Sequence, residues 1–311
     1  MKSICENDTI QIELTDACNH ACANCTRFVG HRNPFFLTMD QFGAAIDSLE
    51  GFPHMVGVMG GEPLLHKKFS EFCEYALNKF PREQLGIWTG FPGGFEKYRE
   101  IICKTFGNIF LNDHTRPDIY HHPFLIAAQE VIQNKDDMFM GVDKCFFQNA
   151  WSPSINQKGA FFCEIAASLS LLFNGSNGWD VEKNWWKRTP KDYKEQIEEF
   201  CPQCGGCLKL KRRPSCPEGG VDDISRGNYD RLKDVSNKIK TGKYKIHDLQ
   251  TVKDDEMEPL AAYKDMDYRN RIAARYGIYL TLNQNNFNEP HLLKDINNQD
   301  SLFFKFKEKY K

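Results

Sequence analysis

Three cysteines stand in the run Cys18-Asn19-His20-Ala21-Cys22-Ala23-Asn24-Cys25. This C-x3-C-x2-C spacing puts three thiolates on one short loop. They can hold three corners of a cubane [4Fe–4S] cluster and leave the fourth iron without a protein ligand. A cluster that only carries electrons normally has four protein ligands, so an open iron implies that something else binds there. A C-x2-C pair is also half of a zinc site, and the triplet alone leaves zinc open.

A second group of cysteines follows. Cys145 and Cys163 bracket a segment in which Gln157-Lys158-Gly159 reads as a hairpin turn between two short strands. A helical stretch from Glu164 to Phe173 comes next, and Thr189-Pro190 opens a further helix to about Phe200. That helix runs into Cys201-Pro202-Gln203-Cys204-Gly205-Gly206-Cys207, with Cys216 beyond. Spacing does not fix which thiols act together, and Cys201, Cys204, Cys207 and Cys216 would also suit a compact zinc knuckle. Cys5, Cys73 and Cys103 read as small hydrophobes packed against core or loops. Twelve cysteines in such a chain point to a reducing compartment, hence a cytoplasmic location, and to metal ligands rather than disulfides.

The elements that must position these groups alternate. Strands are expected near 10–14, 55–59, 85–89, 107–112 and 138–143, with helices at 38–50, 67–79, 95–105 and 119–133. Thr38 and Gln41 have the spacing of a capping box. Ile10-Gln11-Ile12-Glu13-Leu14 alternates like a half-buried strand, so the first cysteine loop follows a strand. Met55–Met59 ends in Gly60-Gly61-Glu62-Pro63, where paired glycines let backbone approach a ligand and Glu62 offers an acceptor. Alternation of this kind predicts parallel strands with crossover helices. Five strands are too few to close an eight-stranded barrel, so the expected fold is α/β, an open, partial TIM-type barrel of about five to six parallel strands. Its strand ends face one mouth, gathering the cysteine loop, Gly60–Pro63, Thr89, Asn112 and Asp113. Three regions are expected: the barrel over 1–144, a small cysteine-rich domain over 145–216, and a C-terminal extension over 217–311. The extension is charged and polar, with a helix-like stretch near 259–276 and no assigned role.

Composition excludes more than it proposes. In 311 residues, 41% hydrophobic and 26% charged, the balance is that of a globular protein with room for a large core. A net charge of −2 gives nucleic acid or an anionic membrane little to hold. The start lacks the apolar core of a signal peptide, and no apolar run reaches membrane-spanning length. The terminal Phe303–Lys311 stretch, which interleaves Phe and Lys, reads as a loosely docked end.

At Cys18, Cys22, Cys25 and Gly60-Gly61-Glu62 the chain resembles the radical S-adenosylmethionine (radical SAM) superfamily. The resemblance implies that the open iron chelates the amino and carboxylate groups of SAM, with Gly60, Gly61, Glu62 and Pro63 around its methionine moiety; Asn112 and Asp113, at a strand end, could contact its ribose or equally form a helix N-cap or turn. Asn24 departs from the pattern, since many members carry an aromatic residue there, near the adenine. The order cysteine, hairpin, cysteine, helix, C-x2-C resembles the twitch domain, the smaller relative of the SPASM domain. On that likeness Cys145, Cys163, Cys201 and Cys204 hold one auxiliary [4Fe–4S] cluster. Cys207 is then a spare thiol able to return hydrogen to a substrate radical, and Cys216 a loop thiol.

The resemblance also implies a mechanism. The reduced cluster cleaves SAM, and the 5′-deoxyadenosyl radical abstracts hydrogen from an unactivated carbon. A flavodoxin, ferredoxin or reductase supplies the electron. Dehydrogenation and epimerisation are the outcomes an auxiliary module favours; loss of carboxylate or water also belongs to the chemistry. A first strand beginning near residue 10 leaves no room for the leader-recognition domain of many peptide-modifying relatives. That tilts the expected substrate toward a sugar, aminoglycoside or nucleoside-like molecule, with a peptide as the alternative. Trp179, Trp185, Trp186, Lys187 and Arg188 could stack on a sugar or base face, although each tryptophan alone reads as core. His114, His121 and His122 lack ligand spacing and read as loop residues. Two further classes remain: a zinc-ribbon binding protein without catalysis and a non-catalytic iron–sulfur carrier.

Overall fold

The strand that carries the cysteine loop lies inside a parallel sheet with neighbours on both sides. The computed structural model describes residues 1–90, 97–111, 114, 120–150, 153–215, 219–247 and 279–281. The first half runs β1 (Thr9–Glu13), α1 (Met39–Ser48), β2 (Met55–Met59), α2 (Phe69–Leu77), β3 (Leu85–Thr89), α3 (Arg99–Thr105) and β4 (Asn108–Leu111). Next come β5 (Tyr120–His121), α4 (Ala128–Val131), α5 (Lys135–Asp143), α6 (Phe146–Ala150), β6 (Ser154–Asn156), β7 (Gly159–Phe161), α7 (Glu164–Leu172) and α8 (Lys194–Phe200). The chain continues through β8 (Arg213–Pro214), β9 (Asp222–Ser225), α9 (Arg226–Leu232), α10 (Asn237–Lys240), β10 (Tyr244–His247) and β11 (Tyr279–Thr281).

The main sheet has the order β11-β4-β3-β2-β1-β6-β7. Five consecutive strands, β4 to β6 in that order, are parallel, with β11 and β7 antiparallel at the edges. Among the described residues the two edges do not pair, so the sheet is open, and five parallel strands match the number expected. The fifth, however, is β6 rather than residues 138–143. That segment is helical: the Asn134 side chain accepts from the Asp136 and Asp137 amides, and Met138 and Val142, one turn apart, are buried together. The expected hairpin is present as β6 and β7, and β6 joins it to β1 in the same sheet.

Register divides the sheet into two faces. Ile10, Ile12, Val56, Val58, Leu85, Ile87 and Ile109 share one core with Phe42 and Ile46 of α1, Phe69 and Phe72 of α2, and Ile102 of α3. The Phe42 and Phe72 rings stack at 4.4 Å, and the expected Thr38–Gln41 capping box closes the start of α1. The opposite face carries Gln11, Glu13, Gly57, Met59, Gly86, Trp88, Asn108 and Phe110. Trp88 and Phe110 stack there at 4.3 Å, nearly parallel, and the Trp88 ring occupies the space a Cβ on Gly57 would need. Every residue of β1 is buried, so the alternation of Ile10–Leu14 marks two covered faces, apolar and polar, instead of a wet one.

Two other expectations change. Residues 119–133 are not one helix: Tyr120 and His121 pair antiparallel with Arg213 and Pro214, and helix is confined to Ala128–Val131. Local composition there gives way to a pairing more than ninety residues distant. The helix expected at 95–105 begins at Arg99. The stretch at 259–276, the terminal Phe303–Lys311 segment, Asn112, Asp113 and Cys216 lie outside the described residues. Among those described, no helix is long and apolar enough to cross a membrane.

Gly57→Ala should lower stability by about 1–3 kcal/mol, since the added methyl must displace a stacked indole. The urea midpoint should fall with an unchanged slope; an unchanged midpoint would show that Trp88 shifts freely.

Candidate active site

The cysteine loop has no regular structure, so its polar backbone must be satisfied from outside. At its start Thr15 Oγ1 accepts from the Ala17 amide at 3.0 Å and donates to the Phe35 carbonyl. Asp16 accepts from the Phe35 amide and from Arg32, both at 2.8 Å. The His20 amide points at Cys18 Sγ, 3.4 Å away, as a donor to a thiolate would. Burial pushes the Cys18 thiol up to about 12 and raises Cys22 further, with repulsion from Cys25 adding to both. Three thiols close enough to repel one another, without a disulfide among them, form a donor set that fits an iron–sulfur cluster. Loading it must release their protons.

Gly60-Gly61-Glu62 is pressed directly against this loop. The Gly61 amide donates to Thr15 O at 2.8 Å and the Glu62 amide to Ala17 O at 2.7 Å. Gly60 has φ +157, and a Cβ there would run into the Thr15 carbonyl; one on Gly61 would meet Ala17 O. The glycine pair therefore lets the end of β2 seat the loop that leaves β1. The Glu62 carboxylate is buried, accepting from Thr89 Oγ1 at 2.6 Å, the Gly90 amide at 2.9 Å and the Leu64 amide at 3.1 Å. It ties the end of β2 to the end of β3, with burial raising its pKa to about 7. Pro63, also buried, opens the short 3-10 turn that follows.

Below the loop lies a charged group that sequence reasoning missed. Arg27 is buried and pairs with Glu13 at 2.7 Å and Glu164 at 2.6 Å, while Gln11 Oε1 accepts from it at 3.0 Å. It also lies close enough to Cys25 for their charges to interact. Burial raises the Glu13 pKa to about 7 despite Arg27. The available signal was Gln11 and Glu13 on the polar face of β1, which pointed to solvent but faces this interior cluster.

The second cysteine group converges. Cys145 follows α5, Cys163 precedes α7, and after α8 Cys201 and Cys207 lie on two successive 3-10 turns with Cys204 between them. All five line one cavity, walled by Phe124, Phe147, Phe162 and Phe200. Burial pushes Cys145 and Cys207 up to about 11 and Cys163 up to about 12, and holds Cys201 and Cys204 well above the usual range. The Gly206 amide donates to Cys204 Sγ at 3.3 Å, and His122 bonds the Gly205 carbonyl at 2.8 Å, bracing the turn. Among the described residues no three His, Cys, Asp or Glu side chains converge on a single metal ion.

Other candidates have structural roles. Trp185 and Trp186 are buried, with Trp185 Nε1 donating to Ser48 at 3.1 Å. Trp179 packs against Trp185 and Tyr193 under Arg188. His121 bonds the Ala23 carbonyl at 2.7 Å and His114 at 3.1 Å. Asn24, where the resembled family often has an aromatic residue, sits at φ +51 with its side chain turned into β9.

Glu13 and Glu62 have native pKa values of about 7 against the usual 4.5. Between those values the native state binds more protons than the unfolded one, so their contribution to stability falls as pH rises from about 4.5 to 7. Glu62→Gln should flatten that slope by the share of one proton, read from urea unfolding across the window. An unchanged slope would show that Glu62 is ionised throughout.

No family model matches the chain. Over 72 residues, 22% of this chain and 26% of the relative, it is 33% identical to an S-adenosylmethionine-dependent nucleotide dehydratase of Selenomonas ruminantium. Over 65 residues, 21% of this chain and 17% of the relative, it is 42% identical to the mycofactocin maturase MftC of Mycolicibacterium smegmatis. The chain therefore spans about a quarter or less of the length of these curated relatives. Among solved structures, BtrN in complex with AdoMet and 2-DOIA aligns with a TM-score of 0.42 and 13% identity, over 64% of this chain and 92% of that one. These partial matches, one of them to an S-adenosylmethionine-dependent enzyme, are in keeping with the resemblance to the radical SAM superfamily carried by the cysteine and glycine motifs.

Proposed function

We propose that Cys18, Cys22 and Cys25 hold the cluster at which SAM is reductively cleaved, and that the enzyme removes a hydrogen atom from an unactivated carbon of a sugar, aminoglycoside or nucleoside-like substrate. The observation that carries this reading is the seating of the cysteine loop, at the end of β1, on the Gly60–Glu62 backbone at the end of β2. When bound, the cluster and SAM supply the one-electron cleavage and the carbon-centred oxidant. The chain's own residues hold the ligands in place: Thr15, Asp16 and the glycine pair fix the loop, Glu62 ties two strand ends, and Arg27 sets a positive charge near Cys25.

Cys145, Cys163, Cys201 and Cys204 are proposed to hold one auxiliary [4Fe–4S] cluster. The aromatic-walled cavity that these four cysteines share supports this reading. Full ligation by protein suits electron storage, which favours dehydrogenation. Cys207 lines the same cavity, and a thiol pushed up to about 11 keeps its hydrogen at neutral pH. As a spare thiol it favours epimerisation. Similarity to a nucleotide dehydratase gives weight to a nucleoside-like substrate and to loss of water; similarity to maturases gives weight to the peptide alternative. A flavodoxin- or ferredoxin-type protein is the proposed electron donor, in the cytoplasm.

Anaerobic reconstitution with iron and sulfide should give about eight irons per chain, as two [4Fe–4S] clusters require. Dithionite should then drive formation of 5′-deoxyadenosine from SAM, and Cys22→Ala should abolish it. Cleavage retained in Cys22→Ala would overturn the site, while about four irons with cleavage would remove the auxiliary cluster.

A further inference from the structure

The stretch between the second and third cysteines is gripped by residues about two hundred positions farther along. The Gly220 amide donates to Ala21 O at 3.0 Å, and the Ala23 amide donates to Ser215 O at 2.6 Å. Lys238 Nζ donates to Cys22 O at 2.8 Å, and the Asn24 amide donates to Asp222 Oδ1. The Asn24 side chain makes two more bonds: its amide donates to Asp223 Oδ2 at 2.8 Å, and its oxygen accepts from the Asp223 amide at 2.9 Å. Gly220 lies so close that a Cβ there would collide with the Ala23 backbone.

Behind these bonds stands a buried charge network. Lys238 pairs with Asp222 at 2.8 Å, and Asp222 also meets His31 Nε2 at 2.7 Å. His31 Nδ1 bonds Ser236 at 2.8 Å, and His247 Nε2 meets Asp223 at 2.6 Å. Lys238, Asp222 and His31 are almost fully buried, so these interactions are sheltered from screening by solvent. Side chains this costly to bury persist when paired. Here the pairing terminates on the carbonyl of a proposed cluster ligand.

We infer that Lys238 and Asn24 are positioning residues of the SAM-cluster loop: β9 and α10 clamp residues 21–24, and the Lys238 ammonium sets the local charge at the cluster. The inference rests on the radical SAM reading for the cluster, but the clamp itself stands on the geometry of the chain alone. It gives residues 219–247, within the C-terminal extension, a function at the site. It also accounts for Asn24: a phenylalanine or tryptophan there could not both donate to and accept from the Asp223 position.

Hydrogen exchange and redox titration of the full chain separate the two parts. In apoprotein, Asn24→Ala and Lys238→Met should each speed exchange of the Ala23, Asn24, Gly220 and Asp223 amides by at least about tenfold, as loss of buried or charge-assisted bonds requires. After reconstitution, Lys238→Met should move the midpoint potential of the SAM-site cluster to a more negative value, because a nearby positive charge favours the reduced form. Lys238→Arg should restore it, and Asn24→Ala, which removes no charge, should leave it unmoved. Unchanged exchange in both apoprotein variants would overturn the clamp. A potential unmoved by Lys238→Met would overturn the charge role. Wild-type protein that takes up no iron at Cys18–Cys25 would overturn the cluster reading, leaving the exchange result to judge the clamp.

Discussion

A loop without secondary structure must have its peptide groups bonded by something else, and on this requirement the rest of the molecule depends. The run from Thr15 to Cys25 leaves a buried strand, presents three thiols and makes no regular ladder of its own. Its carbonyls and amides are met on two sides. At the β1 end the Gly61 and Glu62 amides reach Thr15 and Ala17; toward Cys25, Gly220, Ser215 and Lys238 reach residues 21 to 23. Both contacts need glycine, because backbone must touch backbone and any Cβ intrudes. Strand order places the first contact, since β2 lies beside β1. The second needs a separate small layer, the parallel pair of β9 and β10.

Charge is arranged around the same loop. Arg27 comes two residues after Cys25 and is flanked by Glu13 and Glu164, so one buried cation faces two carboxylates. Such a set is costly to assemble and is destabilising to break from one side. The proton held with a pKa of about 7 at Glu13 relieves part of the imbalance near neutrality. Lys238 and Asp222 make a similarly buried pair. Thiolates and a cluster carry net negative charge, and these two buried cations lie near Cys25 and Cys22 of the loop that would hold them.

What could be read in the sequence follows from distance along the chain. The cysteine triplet, the glycine pair and the Thr38 cap are local patterns whose meaning is set within a few residues, and the structure carries each of them. The β6–β7 hairpin was equally local. Met138–Asp143 was misread because its apolar residues satisfy strand and helix periods over so short a run, and the deciding signal was the cap at Asn134. Glu13 looked solvent-facing because alternation tells which residues share a face and not what covers it. Asn24 gave no hint of its partner, since the contact with Asp223 spans 199 positions and depends on where β9 lands. The quartet Cys145, Cys163, Cys201 and Cys204 was proposed from the order of elements with Cys207 as a spare thiol, and the structure lines one cavity with all five.

The long reach of the second contact sets the order of events during synthesis. Lys238 leaves the ribosome more than two hundred residues after Cys25, which at 5–20 residues per second is a delay of roughly ten to forty seconds. Through that interval Cys18, Cys22 and Cys25 are made, and β2 can already press against their loop, but the other side of the grip does not exist. Nascent thiols in that state are open to oxidation and to stray metal. A cell producing this protein would therefore gain from delivering iron and sulfide after translation, when the finished chain closes over the loop.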